Sequence, residues 1–175
     1  MNKYALIFAM ALLPLLVSGQ DKARPFSQLF DDFSGHNGFQ SIHITRHMFD
    51  LFKNVTSDAE ESDFRDIASS LQSIKILSID AEKAGSRGQV FRRQLNDLVG
   101  SSGYKELMVI REGAETTAFL IREDGDYISE FVMAVTGGDS PTLIFLEGRI
   151  TLSQVSRMSR MMNVSGFEHL DKINE

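Results

Sequence analysis

Four apolar runs joined by connectors too short to cross a sheet constrain this chain more than any other feature. The runs occupy residues 104–111, 116–122, 127–136 and 142–147, and each is rich in β-branched or aromatic residues. Glu112, Gly113, Ala114 and Glu115 separate the first two, and Asp124, Gly125 and Asp126 separate the next two. A parallel crossover needs about a dozen residues or more, so these neighbours should pair antiparallel. Gly137, Gly138 and Pro141 mark the third turn. The second half of the chain therefore reads as an antiparallel meander.

The first half alternates strands with helices. Residues 39–45 set Ile42 and Ile44 on one face and Ser41 and His43 on the other, the period of a half-buried strand. Residues 46–55 follow with Met48, Leu51, Phe52 and Val55 three and four apart, which predicts a helix. Asp58, Glu60, Glu61 and Asp63 precede a second helical pattern of Phe64, Ile67, Ala68 and Leu71, where their charge suits a helix N-terminus. Residues 73–80 are short and isoleucine-rich, the composition of a buried strand. A longer helix is predicted from near Ser86, with Phe91, Leu95 and Leu98 inward and Arg87, Arg92 and Arg93 outward, ending at Gly100 to Gly103. Thr151 followed three residues later by Gln154 forms a capping box for a last helix carrying Leu152, Val155, Met158 and Met162.

These elements predict an α/β (α+β) two-layer sandwich, with a mixed, largely antiparallel sheet of about six strands and helices mainly on one face. The helices after Ile44 and Asp80 call for crossovers, so the early strands are candidates for parallel neighbours. The division expected is a signal peptide over residues 1–19, a lead-in arm with one helical turn over 20–38, one domain over 39–163 and a polar tail over 164–175.

The signal reading rests on Lys3 ahead of an apolar run over residues 4–17 that gives way to Ser18 and Gly19. That run is shorter than the roughly 20 residues a membrane-spanning helix needs, and Pro14 interrupts it. Cleavage after Ser18 or Gly19 would release a soluble periplasmic or outer-envelope protein without a stable transmembrane anchor. The chain has no cysteine, hence no disulfide framework and no lipid-bearing N-terminal Cys. A net charge of -6 disfavours a nucleic-acid partner.

Three stretches then resemble a family of exported proteins from Bacteroidetes-type bacteria catalogued as domain of unknown function 4252. They are residues 38–52 (GFQSIHITRHMFDLF), 73–80 (SIKILSID) and 104–158, with YKELMVIREG and LIFLEGRITLSQVSRM in order. The resemblance covers roughly residues 39–163. It implies a cell-envelope location and a compact α/β domain. Because the family has no assigned activity, it transfers no catalytic, cofactor or metal residue. Many relatives resemble lipoproteins with Cys at the cleavage site, where this chain has Gly19 and Gln20.

No side-chain set stands out as chemistry. His43 and His47 are four apart, but one falls in a strand and the other in a helix, short of the three or four ligands zinc needs. Asp124, Asp126 and Glu130 lack the alternation of a calcium loop and read as a charged hairpin. Asp31 with Asp32, and Glu60 with Glu61, are adjacent carboxylates pointing apart. Lys83, Arg87, Arg92 and Arg93 form one basic cluster, most simply a solvated helix face. Met158, Met161 and Met162 give the last helix an adaptable surface. Asn54 and Asn163 head glycosylation-type triplets of little meaning in a bacterial envelope. The site assignment is therefore empty: no catalytic residue, cofactor or metal. The functional expectation is a non-enzymatic envelope interaction or regulatory module of unknown protein partner. The alternative is a small-ligand or lipid carrier, and the third reading an enzyme of unknown type.

Overall fold

The computed structural model describes residues 24–52 and 60–161. The expected signal segment and its cleavage site, Asn54, Asn163 and the expected tail over 164–175 lie outside the described residues. Six strands, β1 (Phe39–Thr45), β2 (Leu71–Ile79), β3 (Lys105–Glu112), β4 (Glu115–Asp124), β5 (Tyr127–Thr136) and β6 (Thr142–Ile150), form one open sheet ordered β1-β2-β6-β5-β4-β3. This is the α+β sandwich expected, with β3 to β6 as its meander.

Every neighbouring pair is antiparallel, including the early strands that were candidates for parallel pairing. The reason is that α2 (Arg46–Phe52) and α3 (Glu60–Ser70) together bring the chain back to the end of the sheet where β1 finished. The long crossover is made once, by α4 (Ala81–Ser101), which carries the chain from β2 to β3 on the far edge. Those two strands run parallel, with β6, β5 and β4 inserted between them.

Helices occupy both faces of the sheet, whereas the sequence reading put them mainly on one. On the first face α1 (Pro25–Phe33) and α4 pack Phe26, Leu29, Phe30, Phe33, Phe91 and Leu95 against Leu77, Leu143, Phe145 and Val132. On the second, α2, α3 and α5 (Leu152–Met161) set Phe49, Ile67, Ala68 and Val155 against Phe131, Leu146 and Ile150. Strand alternation supplies both surfaces, since Leu143 and Phe145 point opposite to Ile144 and Leu146.

The arm over residues 20–38 holds more than one turn. Pro25 opens α1 with its φ already set for a helix, and Phe26, Leu29, Phe30 and Phe33 repeat at the helical period. All four are buried, each contributing about 2 kcal/mol as an upper estimate. Similarly, α4 starts five residues before Ser86, because the Asp80 carboxylate accepts the Lys83 amide at 3.3 Å and fixes the first turn. Gly85, at φ 53°, kinks the helix where the expected start lay. The capping box forms as expected: the Thr151 amide donates to Gln154 Oε1 at 2.9 Å, and the Gln154 amide to Thr151 Oγ1 at 3.2 Å.

Candidate functional site

A polar groove of about 1270 Å³ opens where α1 begins over the sheet. Its inner wall is Glu130 on β5, whose side chain is almost wholly buried. Arg122 Nη1 donates to Glu130 Oε1 at 3.1 Å, and Tyr104 Oη donates to Oε2. Arg24, the residue before α1, lies 3.7 Å from Glu130 and donates to Glu147 on β6. Burial first, and the hydrogen bond to Glu130 second, push the Tyr104 phenol well above its ordinary pKa, so it remains the donor.

Lys75 makes the second tie. It projects from β2 beneath α1, mostly buried, and donates to Asp31 at 2.8 Å and Ser27 at 2.9 Å. Its ammonium lies 5.1 Å from the Phe30 ring centroid. Both ties join α1 to strands across the sheet. Chemically, the groove's inner charges are committed to holding the helix, while Asp124, Asp126 and Arg149 line its mouth.

The residues weighed in the sequence separate in space. Asp124 and Asp126 lie at the β4–β5 turn, whereas Glu130 belongs to the buried tie. His43 sits on β1 with its ring 6.0 Å from that of Phe30, and His47 is exposed on α2. Of the basic cluster, Lys83 pairs with Asp80 at 2.7 Å, and Arg92 donates to the Gly137, Gly138 and Asp139 carbonyls. The four cations are therefore not one free patch. Asp31 binds Lys75; the side chains of Glu60, Glu61, Met158 and Met161, and all of Met162, lie outside the described residues. Among the described residues no three His, Asp or Glu side chains gather as metal ligands, and no helix is long and apolar enough to cross a membrane.

A second surface runs along the sheet's β1 edge. On the face under α2, α3 and α5, cross-strand pairing lines up Ile42, Ile76, Ile144, Met133, Phe119 and Met108 in one row across all six strands. Phe119 within it is buried, and the row surfaces at Ile42, which is 44% exposed. Met48 and Leu51 on the following helix are also exposed, so among the described residues half of the six exposed large apolar side chains gather along β1 and α2. The opposite edge strand, β3, carries Lys105, Glu106, Arg111 and Glu112, charges that discourage strand addition. β1 carries no Lys, Arg, Asp, Glu or Pro, and it pairs with β2 without a register shift.

Fold and surfaces together define an open antiparallel α+β domain with an ion-paired helix α1 and an uncharged edge strand. The chain belongs to the family described as Domain of unknown function (DUF4252), whose model matches residues 33–158, from the end of α1 into α5. No curated protein and no solved structure matches it.

Proposed function

We propose that this protein is an exported, non-enzymatic module of the cell envelope that works through contact with other proteins. The observation that supports the reading is the β1–α2 edge, where Ile42, Met48 and Leu51 are exposed beside a strand with no charge. Exposed apolar groups clustered at an unblunted strand edge are a docking surface in soluble proteins. The N-terminal pattern of Lys3, an apolar run and Ser18-Gly19 supports export to the periplasm or outer envelope.

The test is affinity capture of the tagged protein from its native envelope after mild crosslinking, read by mass spectrometry beside the Leu51→Glu variant. Leu51 is exposed, so this variant should fold. A protein partner lost in the variant supports the reading. Capture unchanged by the variant removes this edge from it, and co-purifying lipid without protein favours the carrier instead.

A further inference from the structure

The β1 edge is self-complementary, and we infer that a second copy of this chain pairs with it, β1 against β1, joining two six-stranded sheets into one. The inference rests on reading the β1–α2 edge as a contact surface and names its occupant.

Antiparallel pairing about a two-fold axis through Ile42 sets Ile42 opposite Ile42 of the second copy, Ser41 opposite His43, Gln40 opposite Ile44 and Phe39 opposite Thr45. All seven β1 residues then have partners, and no like charges face one another. The axis is normal to the sheet, so each face continues into the same face of the second copy. The apolar row that surfaces at Ile42 would run on through Ile42 and Ile76 of that copy. The exposed end of the row becomes its middle.

Charge favours this direction of pairing. Continuing the register sets Arg46 of each copy opposite Gly38 of the other, whose carbonyl accepts the Asp80 amide at 2.9 Å. Beside Gly38, Phe39 and Gln40 lies a hollow of about 920 Å³ whose charged lining is Asp80, Glu82, Asp139 and Lys83, acidic on balance. Arg46 on the first turn of α2 is half-exposed and bonds Asp50 at 3.2 Å and the Leu71 carbonyl at 3.4 Å in its own chain. Pairing would let it exchange that weak surface ion pair for the hollow of the second copy, with His47 beside it, and symmetry would make the contact twice. Parallel pairing would instead bring the two Arg46 side chains together and leave both hollows empty. On β3, by contrast, four of the eight residues are charged, the kind of blunting that keeps an edge strand soluble and unpaired.

Because the chain has no cysteine, single cysteines report the register directly. Residues directly opposite in antiparallel strands have Cα atoms about 4.5–5.5 Å apart, within disulfide reach. Under mild oxidation Ile42→Cys should give a covalent dimer. Gln40→Cys and Ile44→Cys should each stay monomeric on a non-reducing gel yet crosslink when mixed. Sedimentation equilibrium of the unmodified protein should show a monomer–dimer equilibrium, weakened about tenfold or more by Ile42→Lys, which sets two ammonium groups face to face. Ile42 is exposed, and circular dichroism checks that the Lys variant is folded.

A monomer at every concentration overturns the inference, as does a dimer in which Ile42→Cys does not crosslink. So does a monomer that takes up an extended peptide along β1. Envelope capture of a partner by a monomeric protein would leave the contact-module reading standing while self-pairing fell. A dimer that captures nothing would do the reverse.

Discussion

Arg122 donates to the Glu130 carboxylate at 3.1 Å while its guanidinium lies 4.3 Å from the centroid of the Tyr104 ring, whose hydroxyl donates to the same carboxylate. Three side chains from β3's approach, β4 and β5 thus close one polar knot beneath α1. Removing the carboxylate takes away the buried anion to which both Arg122 and Tyr104 donate. We expect Glu130→Ala to cost about 3 kcal/mol of unfolding free energy in urea. Tyr104→Phe keeps the edge-on ring contact with Phe26 and loses one hydrogen bond, so its expected cost is about 1 kcal/mol. Equal costs would mean that Glu130 contributes through shape alone.

Alkaline titration reads the same knot from the other side. Burial and Glu130 raise the Tyr104 phenol above its ordinary 10.0 in the folded chain. The raised value makes the stabilising contribution fully present below the unfolded pKa of about 10, and progressively lost as pH climbs from there toward the folded value. Unfolding free energy measured across that range should fall for the native protein. In Tyr104→Phe this component should be absent, and tyrosinate absorbance should lack its latest-titrating step.

Much of the fold was legible because periodicity is local. β1 and β5 span the runs that alternation marks, and Thr151 with Gln154 announces the start of α5. What covers each face was not legible, because a strand such as residues 142–147 shows two apolar faces without saying which helix meets which. Glu130 illustrates the harder limit: strict alternation puts it on the face of Ile128, yet a register shift between those residues turns it to the other. Lys75, inside an isoleucine-rich strand, was a signal available in the sequence, since a charge at an inward position needs a partner. Its partners, Asp31 and Ser27, were hidden because they lie more than forty residues earlier in the chain. The β1 edge was unreadable for another reason: strand order, not local pattern, decides which strand is left at the rim.

Two glycines with nearly the same backbone should respond differently to alanine. Gly35 has φ 76° with nothing within 4 Å of an added Cβ, while Gly38 has φ 79° and would bring that atom 2.3 Å from the Ala84 amide nitrogen. Gly35→Ala therefore carries only the left-handed backbone cost, about 1 kcal/mol. Gly38→Ala must also push β1 away from the start of α4, and we expect about 3 kcal/mol or more. Thermal unfolding of the two variants side by side separates the terms, and similar losses would mean that α4 yields to the contact.

Acid should act on α4 through Asp80. Its carboxylate bonds the Lys83 ammonium at 2.7 Å and the Lys83 amide at 3.3 Å, and these two bonds, in that order, hold its pKa below the ordinary 3.8. A depressed folded value means that the contribution is present above about pH 3.8 and disappears as pH falls through the folded value. Amide exchange at Lys83 and Ala84 should accelerate over that interval in the native protein. Asp80→Asn retains a capping oxygen but no charge, so exchange there should be slightly faster at neutral pH and free of the acid step. Asp80→Ala should fray the first turn at every pH. An acid step that persists in Asp80→Asn would assign the titration to another carboxylate, with Glu82 in the same turn the first to replace.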